Sequence, residues 1–143
     1  MAWSTRELTA RFSDPRNKDV IRFLCHSHPS AHDGACEELL LSARGLRGVS
    51  SYSPDPQSYA YVALHTEANV IFALAIGMSG LIFRLSPHDR HEAQKAGGTP
   101  FTEIGDAWML IAPYRQELTL AESRGILSTW SACACRYACE EIF

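Results

Sequence analysis

At 143 residues the chain is about one domain long and can bury a sizeable core, and its 46% apolar and 20% charged residues exclude a disordered or fibrous class. A formal charge of −3, with Lys18 and Lys95 as the only lysines, provides no basic stripe, so nucleic acid is not an expected partner despite the local pair Arg44 and Arg47. The longest apolar run, residues 70–78, is about half of the roughly 20 residues a membrane-spanning helix needs, and Met1 to Glu7 lack the apolar stretch of a secretory leader, so no membrane association is expected.

Taken in chain order, Ser4 and Glu7 have capping-box spacing for a first short helix. Asp14-Pro15 then starts a second over about residues 15–27, with Val20, Phe23 and Leu24 at helical spacing. Pro29 interrupts it, and Glu37 to Leu41 before Gly45 reads as a further short helix, with a strand as the alternative. Residues 49–57, carrying Pro54 and Pro56, read as a loop with room for a short edge strand.

A strand meander occupies residues 59–85. Its first strand alternates Tyr59, Tyr61, Ala63 and His65 on one face with Ala60, Val62 and Leu64 on the other. Thr66 to Asn69 turn the chain. Residues 70–76 are apolar on both faces, as in a central strand, and 81–85 return after Gly77 to Gly80. Ser86-Pro87-His88-Asp89 combines an N-cap, a first-turn proline and an acidic residue for a helix ending at Gly97-Gly98. Residues 107–112 form a last strand, stopped by Pro113. Thr119 with Glu122 opens a long C-terminal helix whose buried stripe is Leu127, Trp130, Ala134, Tyr137 and Ala138. The expected fold is a single α+β domain: an antiparallel sheet of about four to five strands, N-terminal helices, one inserted helix and a long C-terminal helix. Burial of residues 70–76 on both sides predicts the C-terminal helix on one sheet face and an N-terminal helix or a partner on the other.

The segments Phe72-Ala73-Leu74, Gly80 to Leu85, Ala96 to Phe101 and Trp108-Met109, in the order strand, strand, helix, strand, helix, resemble the YjbR and TfoX N-terminal group of small α+β domains over about the C-terminal two-thirds of the chain. The group's Met-Phe-Gly-Gly signature is absent, and residues 45–58 form a longer loop. The resemblance implies a regulatory or protein-binding module and supplies no catalytic residue.

His28, His32 and Cys36 recur every four residues and, with Cys25 or His26 as a fourth ligand, are the candidate metal set; Pro29 sets His28 apart from a helix carrying the other two. In the last helix Cys135 and Cys139 share a face, while Cys133 is turned from Cys135 by roughly 160°. These three read first as small packing residues and second as a reactive or metal-binding thiol pair. Five cysteines without framework spacing fit reduced thiols, and a cytoplasmic protein is expected. His88-Asp89 is explained by capping, Gly97-Gly98 by helix termination, and no Gly-x-Ser-x-Gly elbow is present, so no catalytic or cofactor-binding residue is assigned. The leading expectation is a non-enzymatic regulatory or protein-binding module, possible forms being an inhibitor or immunity-type protein. Its contact residues would be Tyr52, Tyr59, Tyr61 and Arg84, since tyrosine gives large contact area at low entropic cost. The alternative is a metal- or thiol-dependent protein using Cys25, His28, His32 and Cys36. An exposed sheet edge would leave room for a homodimer with either.

Overall fold

The computed structural model describes residues 5–27, 31, 33–54, 61–76, 80–112 and 117–140. Helix α1 covers Thr5–Arg11, a 3-10 turn Pro15–Asn17, α2 Lys18–Ser27, α3 Asp33–Ser42, α4 Pro87–Lys95 and α5 Leu120–Glu140. The strands are β1 Ser50–Tyr52, β2 Val62–His65, β3 Ile71–Ala75, β4 Leu81–Arg84, β5 Thr99–Pro100 and β6 Trp108–Ile111. They form one antiparallel six-stranded sheet in the order β1-β2-β3-β4-β6-β5, and the fold is α+β. The sheet has more strands than the expected four to five because β5, two residues long, is too short to show any period.

Caps start the elements where the sequence places them. The Ser86 side chain accepts from the Asp89 N–H at 3.2 Å and opens α4. At α5 the box closes both ways: the Glu122 N–H donates to Thr119 Oγ1 at 3.1 Å, and the Thr119 N–H donates to Glu122 Oε1 at 2.9 Å. Asp14 caps the 3-10 turn that leads into α2. The capping partner Ser4 and the stop signal Pro113 lie outside the described residues.

The inner strands β2, β3, β4 and β6 send side chains into two separate cores, one on each sheet face. Val62, Leu64, Leu81, Phe83 and Met109 meet α3 and α5; Tyr61, Ala63, Leu74, Ile82 and Trp108 meet α1 and α2. In β3 the register jumps from Leu64↔Ala73 to His65↔Ile71, leaving Phe72 as a bulged extra residue, so Phe72 and Ala73 both join the α3–α5 core. That bulge and the double covering explain an apolar run without alternation. The C-terminal helix α5, with α3 beside it, takes one face and the N-terminal helices α1 and α2 take the other, so both sides of the run are covered as expected.

Small residues let α5 lie close to the sheet: Ser131, Ala134, Cys135 and Ala138 are buried on it, along with Leu127. Buried Ser42 Oγ donates to the Leu39 carbonyl at 2.6 Å, so the Ser131 hydroxyl, 2.6 Å away, donates to Ser42 and joins α3 to α5. Arg124 adds a two-pronged contact to Glu38 at 3.0 Å on each arm.

The N-terminal layer is attached through the residues around Pro15. Arg16 Nη1 donates to the Ala138 carbonyl at 3.0 Å, while its Nε and Nη2 hold Asp14 at 3.0 and 2.9 Å. Asn17, fully buried, donates to the carbonyls of Phe12 at 3.2 Å and Asn69 at 2.7 Å and accepts from the Ile71 N–H at 2.8 Å. It fastens the start of α2 to the turn between β2 and β3.

Candidate functional site

The tyrosine-rich face of β2 points into the protein. Tyr61, Ala63 and His65 share the side covered by α1 and α2, and the register sets Tyr52 beside Ala63. Tyr52 and Tyr61 are each only 4% exposed, which corrects their reading as partner-contacting surface, and His65 is buried beside them. The alternation is the expected one, but two helices rather than water cover its aromatic side. Tyr59 lies outside the described residues.

The interior of this face is a polar cluster in apolar surroundings. Phe12 stands edge-on to the rings of Tyr52 and His65, at 5.2 Å from each, and the Arg11 guanidinium lies 4.9 Å over the Tyr52 ring. Burial pushes the Tyr52 hydroxyl up to about 12, an effect that an interaction with Tyr61 partly offsets, and burial raises Tyr61 further. The two hydroxyls are close enough to influence each other, yet Tyr61 Oη forms no hydrogen bond of normal geometry among the described residues. His65 Nδ1 lies 3.1 Å from the Thr66 carbonyl, which can only accept. Nδ1 therefore carries the proton and Nε2 is a bare acceptor, buried and without a partner among the described residues.

Burial, aided by the nearby Arg11 charge, holds His65 below the ordinary imidazole range, against an opposing contribution from its Thr66 hydrogen bond. The folded state thus keeps this ring neutral where the unfolded chain begins to protonate it. Stability is constant with respect to His65 above about pH 6.5 and is lost as the pH falls from there toward the depressed folded value. Arg11 of α1 acts on the ring, and Glu7 of α1 and Cys25 of α2 are the other titratable groups beside Tyr52 and Tyr61. Urea unfolding at pH 7.5 and pH 5 is expected to show a lower midpoint in acid for the native chain and a clearly smaller drop for His65→Phe; an equal drop in both would refute the assignment.

Cys25 and Cys36 of the candidate metal set are not brought together. Cys25 packs against the core under α1 and α2, near Tyr52 and Tyr61, whereas Cys36 is fully buried in the core between α3, α5 and the other sheet face. Burial pushes the Cys36 thiol up to about 11, which suits a packing residue. His28 and His32 lie outside the described residues. Arg84, expected as a partner contact, is half-buried and stacks its guanidinium 4.9 Å over the Tyr137 ring. Together with Arg16, whose hydrogen bonds act most strongly, it helps hold the Asp14 carboxyl below the usual carboxylate range. Arg84 therefore serves the joint between the N-terminal turn, the sheet and α5.

A cleft that sequence reasoning missed lies between α4, β6 and α5. It encloses about 340 Å³ and is lined by Ala93, Ala96, Gly97, Gly98, Ile111, Ala112, Leu118, Ile126, Thr129 and Trp130. Gly98 cannot carry a side chain there, since a Cβ would stand 2.9 Å from Ile111 Cδ1 and 3.0 Å from the Ala93 carbonyl oxygen. Trp130, expected in the buried stripe of α5, is only half-buried and forms part of the wall. Leu120, at the start of α5, is 54% exposed and is the large hydrophobic residue left in solvent among the described residues. Thr129 donates to the Gly125 carbonyl at 3.0 Å, so the lining has little polar demand of its own.

Within the described residues, no helix is long and apolar enough to cross a membrane. No protein-family model matches the chain, and no curated protein and no solved structure matches it.

Proposed function

We propose that the protein is a non-enzymatic binding module of the regulatory or inhibitor kind, which receives an apolar or aromatic side chain of another protein in the cleft between α4 and α5. The cleft carries this reading. Its volume of about 340 Å³ is enough for one large anchoring side chain, its lining is apolar, and Trp130 presents a ring of the type that anchors interfaces. Leu118 lines the cleft, and Leu120, two residues further along the chain, is left exposed. Because helices cover both faces of the sheet, the tyrosine surface first expected to meet a partner does not compete with it. The resemblance to the YjbR and TfoX N-terminal group supports the same class of function.

A photo-crosslinking residue placed at Leu120 tests the proposal in extract from the source cells. One protein species captured near stoichiometrically, and lost when Ala96→Trp fills the cleft, is the expected result; circular dichroism checks that this exposed substitution leaves the fold intact. Capture that survives Ala96→Trp, or no capture above that from a crosslinker at exposed Arg22 on α2, overturns it.

A further inference from the structure

The thiols of Cys135 and Cys139 lie one turn apart on the same side of α5, close enough to hydrogen-bond to each other. Cys135 is buried at 8% exposure; Cys139 is exposed and opens on a cavity of about 310 Å³ that Arg47, Thr66 and Glu67 also line. Cys133, turned away from this face, has Arg136 Nη2 3.9 Å from its sulfur and takes no part. Residues four apart on a helix have Cβ atoms about 5–6 Å apart, whereas a disulfide requires about 3.5–4.5 Å. A direct sulfur–sulfur bond would therefore distort α5. A single atom held between the sulfurs, with metal–sulfur bonds of about 2.3 Å, spans the gap without distortion.

We propose that Cys135 and Cys139 form a two-thiolate site for a soft monovalent cation, copper(I). Two thiolates satisfy a soft ion of low coordination number, while a structural zinc site takes four ligands. Among the described residues no group of three or more His, Cys, Asp or Glu is placed to hold a metal ion, so the pair has no further protein ligands to offer a tetrahedral ion. Binding breaks two S–H bonds, forms two S–Cu bonds and releases two protons to solvent, with no change of oxidation state. The resulting complex carries one negative charge, beside a cavity whose wall carries both Arg47 and Glu67. The site is independent of the α4–α5 cleft.

The test is an anaerobic titration of the full, reduced chain with copper(I) against a chromophoric copper(I) chelator. About one equivalent is expected to bind, with affinity falling at least about a hundredfold in Cys139→Ser and in Cys135→Ala and changing less than about twofold in Cys133→Ala and Cys25→Ala. Cys139 is exposed, so Cys139→Ser carries the test if Cys135→Ala fails to fold. Less than about a tenth of an equivalent bound, undiminished affinity in Cys139→Ser, or equal losses in Cys133→Ala would overturn the proposal, as would zinc competing on equal terms with copper(I).

Discussion

Asn17→Ala is expected to lower the unfolding free energy by about 3–5 kcal/mol, because it strands several buried polar groups at about 1–3 kcal/mol each. Asn17 is fully buried and uses three hydrogen-bonding positions, to the Phe12 and Asn69 carbonyls and the Ile71 N–H, at 3.2, 2.7 and 2.8 Å. None of these groups has an obvious second partner once the amide is gone: Phe12 follows the last residue of α1, Asn69 sits in the turn at a φ of 60°, and the Ile71 N–H faces the N-terminal layer rather than a strand. Asn17→Asp separates donor from acceptor. It keeps an acceptor for Ile71 but turns a carboxylate toward two carbonyls, so it should be at least as destabilising as alanine near neutral pH. Urea unfolding measures both, the midpoint shifting at constant slope. A loss under about 1 kcal/mol for alanine would show that the turn and α2 are held by packing instead.

Asn17 also shows where sequence reading stops. The start of α2 was legible, because Asp14-Pro15 is a local signal read over two residues. The role of Asn17 was not, since its partners Asn69 and Ile71 are 52 and 54 positions away and nothing in Pro15-Arg16-Asn17 distinguishes a buried amide from a solvated one. The caps at Ser86 and Thr119 were legible for the same reason as Asp14: a side chain bonding two or three residues ahead leaves its mark in the local sequence. The meander was legible because strand period and turn residues are local too.

The site was less legible than the fold. The alternation of Tyr61, Ala63 and His65 was read correctly, but period alone cannot say whether water or a helix covers a face bearing aromatic rings with polar tips. Cys25 and Cys36 look like neighbours along the chain, yet they pack in cores on opposite sides of the sheet. Spacing carries no sign of that crossing. Trp130 fell into the buried stripe by helical period, but it is half-buried on the wall of a cleft that it shares with Gly97 and Gly98 after α4. Their local reading as a helix stop gave no hint that they also line a cleft.

Gly80→Ala is expected to cost about 3 kcal/mol, of which about 1–2 kcal/mol comes from the backbone and the rest from collision. Gly80 enters β4 at a φ of +98°, where an L side chain is strained, and an added Cβ would stand 2.9 Å from Leu110 Cδ1 and 3.0 Å from the Ile111 carbonyl oxygen. The leucine methyl can swing away. The carbonyl belongs to β6, whose Ile111 is paired with Leu81, so it moves only with the ladder. Gly45→Ala separates the two contributions: its φ is +89°, similarly strained, but a Cβ there meets nothing within 4 Å. It should lose about 1–2 kcal/mol by urea unfolding, and the difference between the two variants isolates the β4–β6 contact. If the two losses are equal, the β4–β6 pair yields without resistance and the collision term is wrong. A larger loss at Gly80 instead means that the strand pair backing the α4–α5 cleft is rigid, which is the condition for β6 to act as a fixed wall beneath Ile111 and Ala112.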